Sequence, residues 1–188
     1  MKPQDIAAKE ALLTPTGQGA PADAATYHRV TQRLFAEARA LDEDRMRDWM
    51  DMLSEDVFYW CPLRENRFRK DKRPEIDPAA MSLFEETKDT FELRLGRIES
   101  GMAWTEDPPT RHCYNVSNIE VFETATPGEY EVLSVFILYR NRSEHDDSTI
   151  QGRRRDVWRE EDGTLRLARR LVLLQQSTLL SKNLNVFF

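Results

Sequence analysis

His112 and Cys113 stand side by side in the stretch DPPTRHCYNVSNIEV, residues 107–121, with Tyr114 and Asn115 directly after them. A thiol beside an imidazole is the raw material of a nucleophile with its base, or of part of a metal site. The spacing argues against both. In a strand, neighbouring side chains point to opposite faces, so the pair addresses one cavity only across a bulge. A base also wants a third group to orient it, and no local signature supplies one. Tetrahedral metal sites take four ligands, usually in spaced pairs. The chain offers only His28, His112 and His145, with two distant cysteines, Cys61 and Cys113. It has no Cys-x-His or Cys-x-x-His pair of the kind that binds an iron–sulfur cluster. A mononuclear iron triad needs two histidines and a carboxylate, but His28 falls on a predicted helix and His145 in a polar turn. The expectation is therefore no catalytic, cofactor-binding or metal-binding residue in this chain. His112 is expected half-buried at a strand start, hydrogen-bonded to backbone or to a carboxylate such as Asp107. The competing reading lines a pocket with His112, an acid, and Tyr59 or Tyr114, with the imidazole as general base.

Charge and rings offer a second kind of chemistry, that of contact. In QGRRRDVWREEDGTLRLARR, residues 151–170, Arg153 and Arg155 share one strand face while Arg154 and Asp156 share the other. Arg169 and Arg170 arrive on the next strand. So many guanidinium groups imply ion pairs across strands or across chains. The final NLNVFF carries Phe187 and Phe188 where chains usually fray. Burying one such ring contributes roughly 1.5–3 kcal/mol, enough to hold the tail on its own domain or on a neighbour. Trp104, Arg153, Arg155, Phe187 and Phe188 are accordingly the expected subunit-contact residues.

Several elements must position these groups. Tyr27, Val30, Leu34, Ala38 and Leu41 recur at helical spacing from Ala24 onward, and Met46, Trp49, Met50 and Leu53 continue it behind a possible cap at Asp42. VFYWCPL, residues 57–63, reads as a short strand with Pro62 near its end, followed by the charged loop RENRFRKDKRPEIDP. Phe91, Leu95, Ile98 and Met102 mark a third helix, stopped near Gly101. Segments near 111–122, 129–142, 148–159 and 164–177 read as four strands separated by TPG, SEHDD and EDG turns. Four long strands in succession make an antiparallel meander that must coil strongly. The fold class is α+β: a cone-shaped, strongly curved antiparallel sheet wrapped around helices. Residues 1–22, without an apolar period, read as an extended N-terminal arm, and 23–188 as a single domain.

Composition sets the outer limits. With 188 residues the chain suits one domain, and 27 Lys plus Arg against 33 Asp plus Glu leave a net charge of -6. That balance speaks against nucleic acid, whose binders carry a basic excess. No run approaches the ~20 apolar residues that span a bilayer. The opening residues lack the apolar stretch of a secretory signal, and two lone cysteines form no disulfide framework, so a cytoplasmic location is expected.

YWCPLREN (59–66), GMAWTEDPPTRHCYNVSNIEV (101–121) and LLQQSTLLSKNLNVFF (173–188) resemble the β (small) subunit of aromatic-ring-hydroxylating dioxygenases, near the biphenyl and toluene branch. The resemblance implies a nuclear transport factor 2-like, or cystatin-like, cone. It also implies assembly with a larger catalytic α subunit and other β subunits into an α3β3 hexamer. The α subunit of that family holds a Rieske [2Fe-2S] cluster and a mononuclear Fe(II). Electrons from NADH reach it through a reductase and a ferredoxin, and the holoenzyme converts an aromatic hydrocarbon and O2 to a cis-dihydrodiol. The rival implied by the same fold is an independent small isomerase or dehydratase with a His/acid pair in the cone pocket. A third possibility is a plain module that binds a small apolar ligand. A cone packed shut by aromatics distinguishes the subunit from the enzyme.

Overall fold

The computed structural model describes residues 3–14, 16–101, 108–144 and 146–188; Trp104, Asp107 and His145 fall outside them. The elements in chain order are α1 (Pro3–Leu13), α2 (Ala24–Asp42), α3 (Met46–Met50), β1 (Leu53–Pro62), β2 (Ser82–Glu86), α4 (Lys88–Glu99), β3 (Arg111–Glu123), β4 (Glu129–Ser143), β5 (Asp146–Glu161) and β6 (Thr164–Leu174).

Local signals account for most of the boundaries. Asp23 caps α2 by accepting the Thr26 N–H at 2.7 Å. Val30, Leu34, Ala38 and Leu41 form the expected buried stripe, whereas Tyr27 stays 42% exposed. The second helix is shorter than the spacing suggested. Arg45, not Asp42, stands at its start, and Leu53 already belongs to β1. Thr87 and Thr90 close a reciprocal cap on α4, and Gly101 just beyond it takes φ +69°.

All six strands form one sheet in the order β2-β1-β6-β5-β4-β3. β3 to β6 make the expected meander. β1 differs: it pairs antiparallel with β2 but parallel with β6. A parallel neighbour needs a long crossover, and α4 with the four intervening strands provides it. β2, with only Leu83 and Phe84 apolar, carries too short a pattern to be read as a strand from sequence. Pro62 ends β1 where the register with β2 shifts. In β3 the register slips between Ser117 and Glu120, with Asn118 at φ +49°; such a bulge bends the strand and deepens the curl.

The curl gives the sheet two unlike faces. On the concave side, α2, α3, α4 and the tail pack with inward residues such as Val132, Phe136, Ile150, Trp158 and Val172 into the main core. The convex side is covered in part by residues expected to be an extended arm. Instead, residues 3–13 form α1, rich in strong helix formers, and its Leu12 packs with Trp60 and Leu171. Lys9, fully buried, reaches the Glu85 carboxylate at 2.6 Å and lies over the Trp60 ring. The chain then crosses to the sheet edge. Ala22 N–H donates to the Val121 carbonyl at 2.9 Å, and Glu123 N–H to that of Ala20 at 2.8 Å. A Cβ on Gly19 would stand 2.1 Å from the Glu123 carbonyl oxygen, so only glycine allows this approach.

Gly152 on β5 has a comparable role inside the cone. A Cβ there would lie 2.5 Å and 2.6 Å from two carbons of the Phe136 ring and 3.1 Å from the Leu173 carbonyl. Gly152→Ala is expected to displace that ring and cost about 1–3 kcal/mol. In a chain of this size the midpoint of thermal unfolding should fall by roughly 2–12 °C. A melt identical to the parent's would contradict the packing described.

Candidate functional site

The interior of the cone is where this architecture could hold a reaction, and it contains ionisable groups. Glu37 comes from α2, Arg154 and Asp156 from the inward face of β5, and Arg170 from β6; all four are buried. Alternation along β5 places Arg154 and Asp156 together, and Asp156 faces Arg170 across the β5–β6 pair.

Arg170 is the centre. Its Nε donates to Asp156 Oδ1 at 2.9 Å and its Nη2 to Asp156 Oδ2 at 2.7 Å. Nη1 and Nη2 also clamp Glu37, at 2.7 and 2.9 Å. The remaining Nη1 hydrogen goes to the Phe188 carbonyl at 2.9 Å. All five guanidinium donors are thus used. Glu37 further accepts from Trp49 Nε1 at 3.1 Å and Arg154 Nη1 at 3.3 Å, and Asp156 accepts from Trp158 Nε1 at 3.3 Å. Two cations and two anions leave the cluster neutral, which is what makes its burial tolerable.

Electrostatics follow from that geometry. Burial by itself pushes the Glu37 carboxyl up, but Arg170 and Arg154 outweigh it and hold the group below its ordinary 4.5. Burial opposes the charge of Arg170 too, and Asp156 and Glu37 more than reverse the effect. Burial and the like charge of Arg170 lower Arg154, which a guanidinium tolerates while remaining cationic at neutral pH. Burial raises the phenols of Tyr59 and Tyr114 far above neutrality and pushes the Cys61 thiol up to about 12. None of these groups is poised as a base or nucleophile near pH 7.

The space a substrate would need is filled by the tail. Phe187 stacks on Trp49 with ring centroids 4.6 Å apart and meets Phe91 edge-on at 5.5 Å. Phe188 packs on Phe136 at 5.5 Å and Phe84 at 5.8 Å. Tyr59 Oη donates to the Phe188 carbonyl at 2.8 Å and accepts its N–H at 2.7 Å, while Tyr114 Oη donates to the Phe187 carbonyl. Both phenols that could have worked with His112 are therefore committed to the tail backbone.

The residues singled out from sequence scatter. His112 is half-buried at the start of β3, its ring 6.3 Å from that of Tyr114, beside an open groove of about 810 Å³ that Asp42 and Arg142 also line. Cys113 points the other way and is exposed, as strand alternation requires. His28 is exposed on α2. Among the described residues, no group of three or more His, Cys, Asp or Glu side chains converges to hold a metal. Phe187 and Phe188, expected at a subunit contact, are 4% and 0% exposed within their own domain and have no ring surface left for a neighbour. Arg153 is exposed and Arg155 half-buried on the convex face. Trp104 falls outside the described residues. Sequence reading missed Glu37, though the signal was there: position 37 lies on the same helical face as Val30, Leu34 and Leu41, and a carboxylate there needs a buried cation.

A curled α+β sheet closed over its helices defines the nuclear transport factor 2-like class of cone. Within that class, residues 36–181 match the family model for the ring hydroxylating beta subunit, so the chain belongs to that family, the beta subunits of an oxidoreductase system. Among solved structures, a chain of naphthalene 1,2-dioxygenase with indole bound in the active site superposes with a TM-score of 0.82 at 24% identity, covering 100% of this chain and 95% of that one. The beta subunit of benzoate 1,2-dioxygenase from Burkholderia mallei gives 0.62 at 21%, over 78% and 88%. A Novosphingobium aromaticivorans protein provisionally described as a scytalone dehydratase gives 0.60 at 16%, over 81% and 85%. These structural likenesses speak for the fold.

Removing one partner of the buried cluster should be far worse than its surface chemistry suggests. Glu37→Gln leaves two guanidinium groups sharing one carboxylate and is expected to cost about 3–5 kcal/mol. The pH dependence has a definite sign. Because the folded-state value of Glu37 lies below 4.5, its contribution is fully present above that pH and is lost as pH falls through the folded value. Denaturant titrations of the parent should therefore show an acid limb of falling stability below about pH 4.5, and the variant a shallower one. Equal acid limbs would show that Glu37 is not ionised in the fold.

Proposed function

We propose that this chain is the non-catalytic, structural subunit of the terminal oxygenase in a multicomponent Rieske non-haem iron dioxygenase. The holoenzyme cis-dihydroxylates an aromatic hydrocarbon of the biphenyl type with O2 and electrons from NADH. The observation that carries the non-catalytic role is the filled cone, in which Phe187, Phe188, Trp49, Phe91 and Phe136 occupy the place of a substrate. An independent isomerase or dehydratase would need an open pocket with a convergent imidazole and acid. Here Glu37 and Asp156 are clamped by arginines, and His112 lies at the rim.

The residues of this chain do not fit a Rieske cluster or a mononuclear iron, since no Cys-x-His or Cys-x-x-His pair exists and no ligand group converges among the described residues. Both centres belong on this reading to the larger α subunit, with reductase and ferredoxin upstream. The chain's own part is mechanical: a tightly packed body, its buried charges mutually neutralised, that holds catalytic subunits in register within an α3β3 hexamer. No helix among the described residues is long and apolar enough to cross a membrane. A cytoplasmic location is part of the same proposal.

Purified alone, the chain should bind no stoichiometric iron or zinc and turn over no aromatic substrate. Co-expressed with its larger subunit, it should co-purify in a complex that contains iron and is active once supplied with ferredoxin, reductase and NADH. Elemental analysis and product chromatography are the measurements. Turnover by the isolated chain would overturn the structural role, and a larger subunit fully active and correctly assembled without this chain would overturn the assembly role.

A further inference from the structure

α1 packs on the convex face where β1 and β6 meet, and the segment after it reaches β3 and β4, with the Gly17 N–H on Glu131 Oε2 at 2.7 Å and Gly17 beside Phe122 and Leu133. What stays exposed on that face has an unusual composition. Along β4 the outward row includes Leu133, Val135, Ile137 and Tyr139, the last two 40% and 45% exposed. Opposite them on β5, Arg155 pairs in register with Leu133, Arg153 with Val135 and Gln151 with Ile137. The arginines thus stand beside half-buried Leu133 and Val135, in a row that continues to the exposed Ile137 and Tyr139.

These arginines differ from their inward neighbours. Arg154 and Arg170 meet carboxylates inside the cone. Arg153 and Arg155 have no ion pair or side-chain hydrogen bond among the described residues, although Arg155 is half-buried. A groove of about 650 Å³ continues from them to Arg64 and Glu75, at the base of the charged loop. Residues 64–73 of that loop, RENRFRKDKR, hold six basic and two acidic side chains, with Phe68 83% exposed among them. In a chain of net charge -6, this stretch has a local basic excess, even though Arg64, Arg67 and Arg73 pair with Glu75, Glu65 and Asp71.

We propose that the convex face around Arg153 and Arg155, extended by the loop at 64–73, docks the larger oxygenase subunit through an acidic segment that also carries an apolar side chain. The assignment rests on the assembly reading above and locates its contact. A partner carboxylate would supply the acceptors that Arg153 and Arg155 lack, and Ile137 and Tyr139 would lose their water. A uniform polyanion fits poorly, because Glu75 and Glu120 also line the groove. In a three-fold ring of copies unlike patches meet, so a contact between copies through this face is a separate outcome that the test distinguishes.

The test uses the full chain co-expressed with its cognate larger subunit. Arg153→Glu/Arg155→Glu is compared with Arg39→Glu/Arg97→Glu, an equal charge change at exposed positions on α2 and α4. Light scattering gives the mass of the complex, titration its affinity, and circular dichroism the melting of each chain alone. The convex-face variant should melt like the parent yet bind about tenfold or more weakly, while the control assembles normally. If the reversed charges lower the melting temperature, Arg153→Gln/Arg155→Gln is measured in their place and should flatten the salt dependence of binding. Parent-like affinity in the convex-face variants overturns the surface and leaves the assembly reading standing. Loss of association between copies alone, with the larger subunit still bound, overturns it as well. Failure of the parent chain itself to bind the larger subunit overturns the assembly reading and the surface together.

Discussion

Arg170 has no donor left over, and the arrangement of four separate elements follows from that saturation. Its guanidinium reaches α2 through Glu37, β5 through Asp156 and the tail through the Phe188 carbonyl, from a position on β6. A planar fork with fixed donor directions accepts few geometries, so each partner is oriented as well as attracted. Hydrophobic burial contributes most of the stability of a core this size, but it is non-directional. The charged cluster supplies the direction, fixing which face of α2 turns inward and how far the tail enters.

The tail illustrates how polar and apolar terms divide this work. Phe187 and Phe188 contribute area, roughly 1.5–3 kcal/mol for each ring taken out of water. Tyr59 and Tyr114 satisfy the backbone that those rings drag inside, since an unpaired buried carbonyl or N–H would cancel much of the gain. Here the tail occupies the interior of the cone, and the Tyr59 and Tyr114 hydroxyls anchor its backbone.

Strand and helix positions were legible wherever one periodicity dominated. The stripe of Val30, Leu34 and Leu41 announced α2, and the turn residues at 126–128 and 161–163 separated the long strands correctly. Parallel pairing of β1 with β6 was not legible, because strand order depends on contacts between distant segments that no local pattern records. α1 escaped notice since only Lys9 and Leu12 of its later turns are buried, too few to show a period. At the candidate site, the opposite faces of His112 and Cys113 and the shared face of Arg154 and Asp156 followed from alternation alone. The destination of Phe187 and Phe188 did not: their burial is the same whether a neighbour or their own cone receives them, and sequence has no term that distinguishes the two.

The parallel β1–β6 pair also shapes how the protein comes into being. Phe58 aligns with Arg169, Tyr59 with Arg170 and Trp60 with Leu171, so the two strands are separated by more than half of the chain. A ribosome adding roughly 5–20 residues per second makes β1 wait on the order of 5–20 s for β6 to be synthesised. During that interval β2 and then α4 become available to β1, but Arg170, the meander's last strand and the tail do not. The nascent chain therefore passes through a stage in which Glu37 lies on a finished helix without its cation and Tyr59 and Trp60 lack their final cover. Its exposure to aggregation and its need for a chaperone are concentrated in those seconds, before translation delivers the residue that closes the cone.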